Sequence, residues 1–145
     1  MDTKQLNKYK SKSNSQLEKL ADKWFSLFVR ISHSDENGEC ICVTCGKKLH
    51  YKLMDCGHFQ SRRFKATRYE PKNCAPQDTY CNRYQQGEQH KFAKYIDKTY
   101  GKGTADALEI AAHQICKRKT FELAYIIEEY KILAKQEAGK RGIKL

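Results

Sequence analysis

Cys42 and Cys45 are separated by two residues and followed at once by Gly46. Two thiolates at that spacing can bind one Zn²⁺, and the glycine relieves the tight turn behind them. A structural zinc site takes four ligands, and a second half-site at the same spacing is Asp78-Thr79-Tyr80-Cys81. A carboxylate oxygen can ligate zinc, although thiolate is the commoner structural donor. Cys74, four residues before Asp78, is the alternative fourth ligand. Cys40 would share a face with Cys42 in an extended run, on the wrong side of the knuckle. For Cys40, Cys56, Cys74 and Cys116 the ordinary state is a buried, inert thiol. Seven cysteines is an odd number, and no secretory segment accompanies them. Metal binding in a reducing cytoplasm therefore explains them better than a disulfide framework, and a cytoplasmic location is expected.

Between the two half-sites lies Asp55-Cys56-Gly57-His58-Phe59, with Asn73 and Asn82 downstream. A histidine with a pKa near 6.5 can take a proton from water at neutral pH. The ordinary alternatives are a backbone-bonded His58, a turn-forming Asn73 and a helix-capping Asn82. His33, His50 and His113 carry no such setting. His90, eight residues after Asn82, is a minor candidate for a metal or phosphate contact.

A basic run follows His58: Arg62, Arg63, Lys65, Arg68 and Lys72, interleaved with Phe64 and Tyr69. Guanidinium groups grip phosphate bidentately, and aromatics stack on unpaired bases or pin the loop; Phe64 is expected to pack inward. Arg83, Lys91 and Lys94 can extend the positive face. The chain carries 28 basic and 17 acidic residues, a net charge of +11. That excess attracts polyanions, and DNA is the expected partner, read through its backbone and shape. A membrane surface is the weaker alternative. No run of about 18 apolar residues exists to span a bilayer, and the first 15 residues lack the apolar core of a signal peptide.

These residues need elements to hold them. Residues 1–14 are rich in Lys, Ser and Asn and read as a flexible basic arm. A helix is predicted from about Ser15 to Ser32, with Leu17, Leu20, Trp24, Leu27, Phe28 and Ile31 on one face and Trp24 as a core anchor. Short strands are expected at 40–43, 49–51 and 53–59, then a long loop over 60–73. Helices follow at about 80–100, 104–113 and from Thr120, the last ending in a basic tail at 140–145. The class is α+β: one domain, 15–139, with flanking helices around a metal-held centre.

The order Cys42-x-x-Cys45, Gly57-His58, Asn73, Pro76-Gln77, Cys81-Asn82 resembles HNH, or ββα-metal, nucleases. More narrowly, Gly57-His58-Phe59-Gln60-Ser61-Arg62-Arg63-Phe64 through Thr67-Arg68-Tyr69, then Asn73-Cys74 and Cys81-Asn82-Arg83, resembles the phage NinG (Rap) recombination family. The later Gly101-Lys102-Gly103-Thr104 is also similar. The resemblance covers roughly 42–108 and implies a zinc-stapled endonuclease acting on branched recombination intermediates. It implies His58 as general base, Asn73 orienting it or its loop, and Asn82 as a ligand of a catalytic Mg²⁺ or Mn²⁺. A homodimer would suit a two-fold junction.

Two positions depart from the pattern. Gly57 stands where such enzymes often carry a metal-binding Asp or His; Asp55, on the same strand face, can supply the carboxylate. Asp78 stands where the family usually has Cys. Both departures favour the competing reading, a zinc-knuckle DNA-binding module without cleavage. A third reading is an adaptor whose last helix offers Tyr125, Ile126, Ile127 and Tyr130 to a partner, although packing on the first helix accounts for them more simply.

Overall fold

Asp2 starts the first helix by accepting a hydrogen bond from the Gln5 amide at 2.8 Å, while the Gln5 side chain accepts from the Asp2 amide. This reciprocal cap satisfies two amides that a helix start leaves open. In the computed structural model, which describes residues 1–145, α1 (Thr3–Lys10) therefore occupies most of the segment expected to be a flexible arm. Its one aromatic explains the correction: Tyr9 is buried, and its hydroxyl bonds Glu128 on the last helix. Composition registered the lysines and missed that anchor.

Ser13 and Gln16 repeat the reciprocal cap for α2, Asn14–Ser32. Besides Ile31, which is buried in a second cluster with Cys40 and Tyr51, the positions that turn fully inward are Leu17, Ala21, Phe25 and Val29, at i, i+4, i+8 and i+12. They meet Leu123, Ala124, Ile127 and Tyr130 of the last helix, and Tyr69 and Cys74 close the same cluster. Phe25 meets Tyr130 and Tyr69 edge-on, at centroid distances of 4.9 and 5.6 Å. Trp24 is only partly buried and packs at the margin of this core, with Lys131 and Lys135 beside its ring. It is an edge residue rather than the expected anchor.

Two small antiparallel sheets follow. β1 (Glu39–Ile41) pairs with β2 (Lys48–His50), and the turn between them carries Cys42, Cys45 and Gly46, the last at φ +81°. β3 (Asp55–His58) pairs with β4 (Cys74–Gln77), setting Asp55 opposite Gln77 and His58 opposite Cys74. The Val43 amide donates to the Pro76 carbonyl at 3.1 Å and ties the knuckle to β4.

The helix expected over 80–100 is broken. A single π-helical turn, Tyr80–Tyr84, ends in Gln86, Gly87 and Glu88, all at positive φ, before α3 begins (Gln89–Tyr100). Left-handed backbone costs a non-glycine residue about 1–2 kcal/mol. Here the turn is held by the Gly87 amide bonding the Cys81 carbonyl at 2.9 Å, and by Gln77 Nε2 donating to the Gly87 carbonyl at 2.9 Å. α4 (Thr104–Ala112) packs with α3 over Phe59 and Ala75. α5 runs Thr120–Lys140. The basic tail is tied back near its start: Arg141 donates to the Ser34 and Ser32 carbonyls at 2.7 and 3.0 Å, occupying acceptors at and just past the end of α2. The architecture is α+β as expected, and no helix is long and apolar enough to cross a membrane.

Candidate metal centre and the cleft beside it

The β1–β2 turn and the π-helical turn bring Cys42, Cys45, Asp78 and Cys81 together, with one donor atom from each within 4.8 Å of all the others. Asp78 organises the group. One carboxylate oxygen accepts from the Cys81 amide at 2.9 Å, and the other contacts the Cys45 sulfur at 2.7 Å and the Cys81 sulfur at 3.5 Å. Burial pushes the Asp78 carboxyl up, but hydrogen bonds from Cys45 and the Cys81 amide outweigh it and hold the pKa at about 2. Burial and the neighbouring carboxylate push the Cys45 thiol up to about 12. At Cys42 burial is outweighed by the Thr44 hydroxyl and by backbone amides, and its pKa falls. Three thiols and a carboxylate at this spacing fit a tetrahedral d¹⁰ cation such as zinc, which would replace the thiol protons and relieve the sulfur–carboxylate competition. Cys74, the alternative ligand, lies elsewhere, beside Cys56 and His58.

Thr44 and Gln77 stand behind this centre. Gln77 Nε2 donates to Thr44 Oγ1 at 3.2 Å, which leaves the hydroxyl proton free for the Cys42 sulfur 3.4 Å away. Gln77 Oε1 is buried without a partner, because the acceptor carbonyl of Gly87 fixes which end of the amide faces the turn.

An open cleft of roughly 650 Å³ lies between α2, the free edge of β3, residues 61–63 and the turn at 82–89. His58 lines it. Its Nε2 lies 2.9 Å from the Arg68 carbonyl, which can only accept, so Nε2 carries the proton and Nδ1 keeps the lone pair. Burial and the nearby Arg62 charge lower the His58 pKa more than the Arg68 carbonyl raises it, so the ring stays neutral at neutral pH. Asp55 lines the same cleft, accepting from Asn82 Nδ2 at 3.0 Å and from Arg83 at 3.1 and 3.2 Å.

A family model described as Bacteriophage Lambda NinG protein matches residues 1–140. The chain belongs to the NinG family. No curated protein and no solved structure matches it.

Within this NinG chain the singled-out residues separate by location. Asn73 is fully buried and clasps the loop after His58: its side chain accepts from the Gln60 amide at 2.8 Å and donates to the Gln60 and Thr67 carbonyls at 3.0 and 3.1 Å. It makes no hydrogen bond to the imidazole. Arg62, Arg63 and Arg83 line the cleft. Lys65 and Lys72 do not: Lys65 pairs with Glu18 at 3.6 Å, and Lys72 lies over the Tyr100 ring. Arg68 requires a correction. Its guanidinium binds Asp22 through two bonds of 3.0 and 2.6 Å and meets Glu18 at 3.2 Å, so it is committed to α2 rather than offered to phosphate.

Gly57 has a steric explanation. A Cβ there would sit 2.1 Å from Gln77 Oε1. The Gln77 side chain, reaching across from β4 to Thr44 and Gly87, fills the place a carboxylate at 57 would need. Asp22, Glu18 and Thr44 are the residues that sequence reasoning missed, and Gln77 stood in the motif without a role. Glu18 and Asp22, an acidic pair at i and i+4 in a basic chain, were the available signal. Phe64 meets His113 edge-on at 5.1 Å, and Tyr69 is buried, so both aromatics pin the loop. On α5, Ile127 and Tyr130 are buried against α2, leaving Tyr125 exposed.

Proposed function

We propose that this NinG-family chain is a metal-dependent DNA endonuclease acting on branched recombination intermediates, held in shape by a zinc ion at Cys42, Cys45, Asp78 and Cys81. The observation that carries the reading is the His58 ring, which lines a cleft flanked by three arginines and has its Nε2 proton committed to the Arg68 carbonyl. Nδ1 is then the base, taking a proton from a water as that water's oxygen attacks phosphorus. The bond to the 3′-oxygen breaks, that oxygen takes a proton from solvent water, and His58 returns its proton to solvent, leaving a 3′-hydroxyl and a 5′-phosphate. Arg62, Arg63 and Arg83 neutralise the phosphates on either side. Asp55 and Asn82 are the residues that would hold a Mg²⁺ or Mn²⁺, which supplies charge stabilisation at the phosphate and the leaving oxygen. Asn82 must then turn its carbonyl toward the ion, and Arg83 must release Asp55 to the phosphate. The branched substrate rests on the family resemblance, and the homodimer that would suit it remains part of the same proposal.

The second reading is a DNA-binding module without cleavage, and the Asp55–Arg83 ion pair favours it because it neutralises the only carboxylate near Asn82 on β3. The test incubates the purified chain with four-way and linear DNA, with and without Mg²⁺ or Mn²⁺, beside His58→Ala and Asp55→Ala. Metal-dependent nicking lost in His58→Ala supports the enzyme. Tight binding without cleavage under any metal supports the module. Full cleavage by Asp55→Ala would remove Asp55 from the ligand set.

A further inference from the structure

Strand alternation puts Cys56 and His58 on one face of β3, and the antiparallel register puts Cys74 opposite His58. One donor atom from each of these three residues lies within 4.8 Å of the others. Cys74 is buried and Cys56 half-buried, but Cys56 and His58 both line the cleft, so an ion can reach the trio from that side. Two sulfurs and an imidazole nitrogen form a soft to borderline donor set, suited to Zn²⁺, Cd²⁺ or Cu⁺ and unsuited to Mg²⁺. A Zn–S bond of about 2.3 Å puts two tetrahedral thiolates about 3.8 Å apart, within reach of small side-chain rotations here.

We propose that Cys56, His58 and Cys74 form a second, inhibitory site for a soft divalent cation of the Zn²⁺ class, with the fourth position open to the cleft. Binding forms two metal–sulfur bonds and one metal–nitrogen bond and releases the two thiol protons to solvent; nothing is oxidised or reduced. The consequence for His58 is the same through either ring nitrogen. Ligation through Nδ1 consumes the lone pair that would act as base. Ligation through Nε2 breaks the bond to the Arg68 carbonyl that orients the ring. The inhibitory part rests on the nuclease reading above; the binding part does not.

The test titrates the zinc-loaded chain with Cd²⁺, which replaces the ion of the first centre and fills the second, followed by cadmium–thiolate absorbance in the ultraviolet and by proton release. Two sulfur-ligated equivalents are expected for the parent chain and one for Cys56→Ser, whose side chain is half-buried and tolerates the change. Cys74→Ser should match it if folded; Cys56→Ser alone decides the matter if it is not. One equivalent in the parent chain, or two retained in Cys56→Ser, overturns the site. In a parallel arm, Zn²⁺ added beyond one equivalent should abolish Mg²⁺-dependent nicking by the parent chain and spare Cys56→Ser. Equal inhibition of both would overturn the inhibitory role. A chain that never nicks DNA would fail the nuclease reading and leave the stoichiometry to decide the site.

Discussion

The backbone carbonyl of Arg68 lies 2.9 Å from His58 Nε2, while the guanidinium of the same residue is clamped on Asp22 of α2. One residue thus ties the loop to the helix and sets the protonation pattern of the ring. The side chain secures the carbonyl, the carbonyl orients the imidazole, and Nδ1 is left as the basic nitrogen. The Arg68–Asp22 pair is largely buried, and its two bonds define a planar geometry that lysine cannot reproduce.

Asp22 lines the cleft beside His58, and Asp22→Ala should act on the ring chiefly by releasing Arg68. It leaves a mostly buried guanidinium without its bidentate partner, a loss of about 1.5–3 kcal/mol of stability. Under the nuclease reading kcat falls about tenfold or more, while DNA affinity does not fall, because the change also frees Arg62 from its ion pair with Asp22. Urea unfolding and single-turnover cleavage check the two effects separately. Unaltered cleavage in a folded Asp22→Ala chain would dissociate the clamp from the base.

The pH profile follows from the lowered His58 pKa. The ring must be neutral to accept a proton, so cleavage should rise with pH through a midpoint below 6.5 and level off above it. Because the Arg62 charge lowers that pKa, Arg62→Gln should move the midpoint up. The folded state also binds fewer protons than the unfolded chain between the lowered pKa and 6.5, so this histidine withdraws stability as pH falls through that window. A midpoint unmoved, or moved down, in Arg62→Gln contradicts the electrostatic account.

Gly57→Ala should clash with Gln77 and cost about 1–3 kcal/mol. Gln77→Ala alone should also cost about 1–3 kcal/mol, since the buried Gly87 carbonyl and Thr44 hydroxyl lose their donor. The double variant should cost less than the two together by about 0.5–3 kcal/mol, because removing the amide clears space for the new methyl group. Strict additivity in denaturant titrations would show that the two positions do not share that space.

Metal removal should unfold the centre first. Strong chelation is expected to lower Tm and expose the three cysteines of the cluster to thiol reagents. Asp78→Cys completes a four-thiolate set and should slow zinc loss to a chelator; Asp78→Ala should hasten it. Identical release rates across all three chains would exclude Asp78 as a ligand.

Arg62→Gln/Arg63→Gln should weaken DNA binding about equally for all sequences. It should also reduce the slope of log K against log salt by about 1–2, one for each phosphate left without its guanidinium. Arg68→Gln should instead lower stability and leave the slope nearly unchanged, because its guanidinium faces Asp22 and Glu18. A large slope change in Arg68→Gln would return that residue to the interface.

The sequence by itself determined three donors of the candidate metal centre, Cys42, Cys45 and Cys81, because x-x spacing lets a turn aim two side chains at one point; only the fold chose Asp78 over Cys74 as the fourth. It determined that α2 is a helix but turned its face by part of a turn: Leu20, Trp24, Leu27 and Phe28 are only partly buried, and packing against α5 chose the stripe of Leu17, Ala21, Phe25 and Val29 instead. It also held enough ordered motif to identify the NinG family. It did not reveal the helix in the first ten residues, whose stability depends on Tyr9 finding a core 119 positions away at Glu128. It read Tyr80–Tyr100 as one helix because local propensity cannot register a break imposed by the packing of Gln77 on the Gly87 carbonyl. It grouped Arg68 with the phosphate-facing basics because a loop sequence carries no direction. Whether an arginine meets solvent or an acid on another helix is a through-space question, and Asp22 is 46 residues away. The setting of His58 divides the same way: the residue was legible, but which nitrogen holds its proton was decided by a backbone carbonyl that only folding brings within reach.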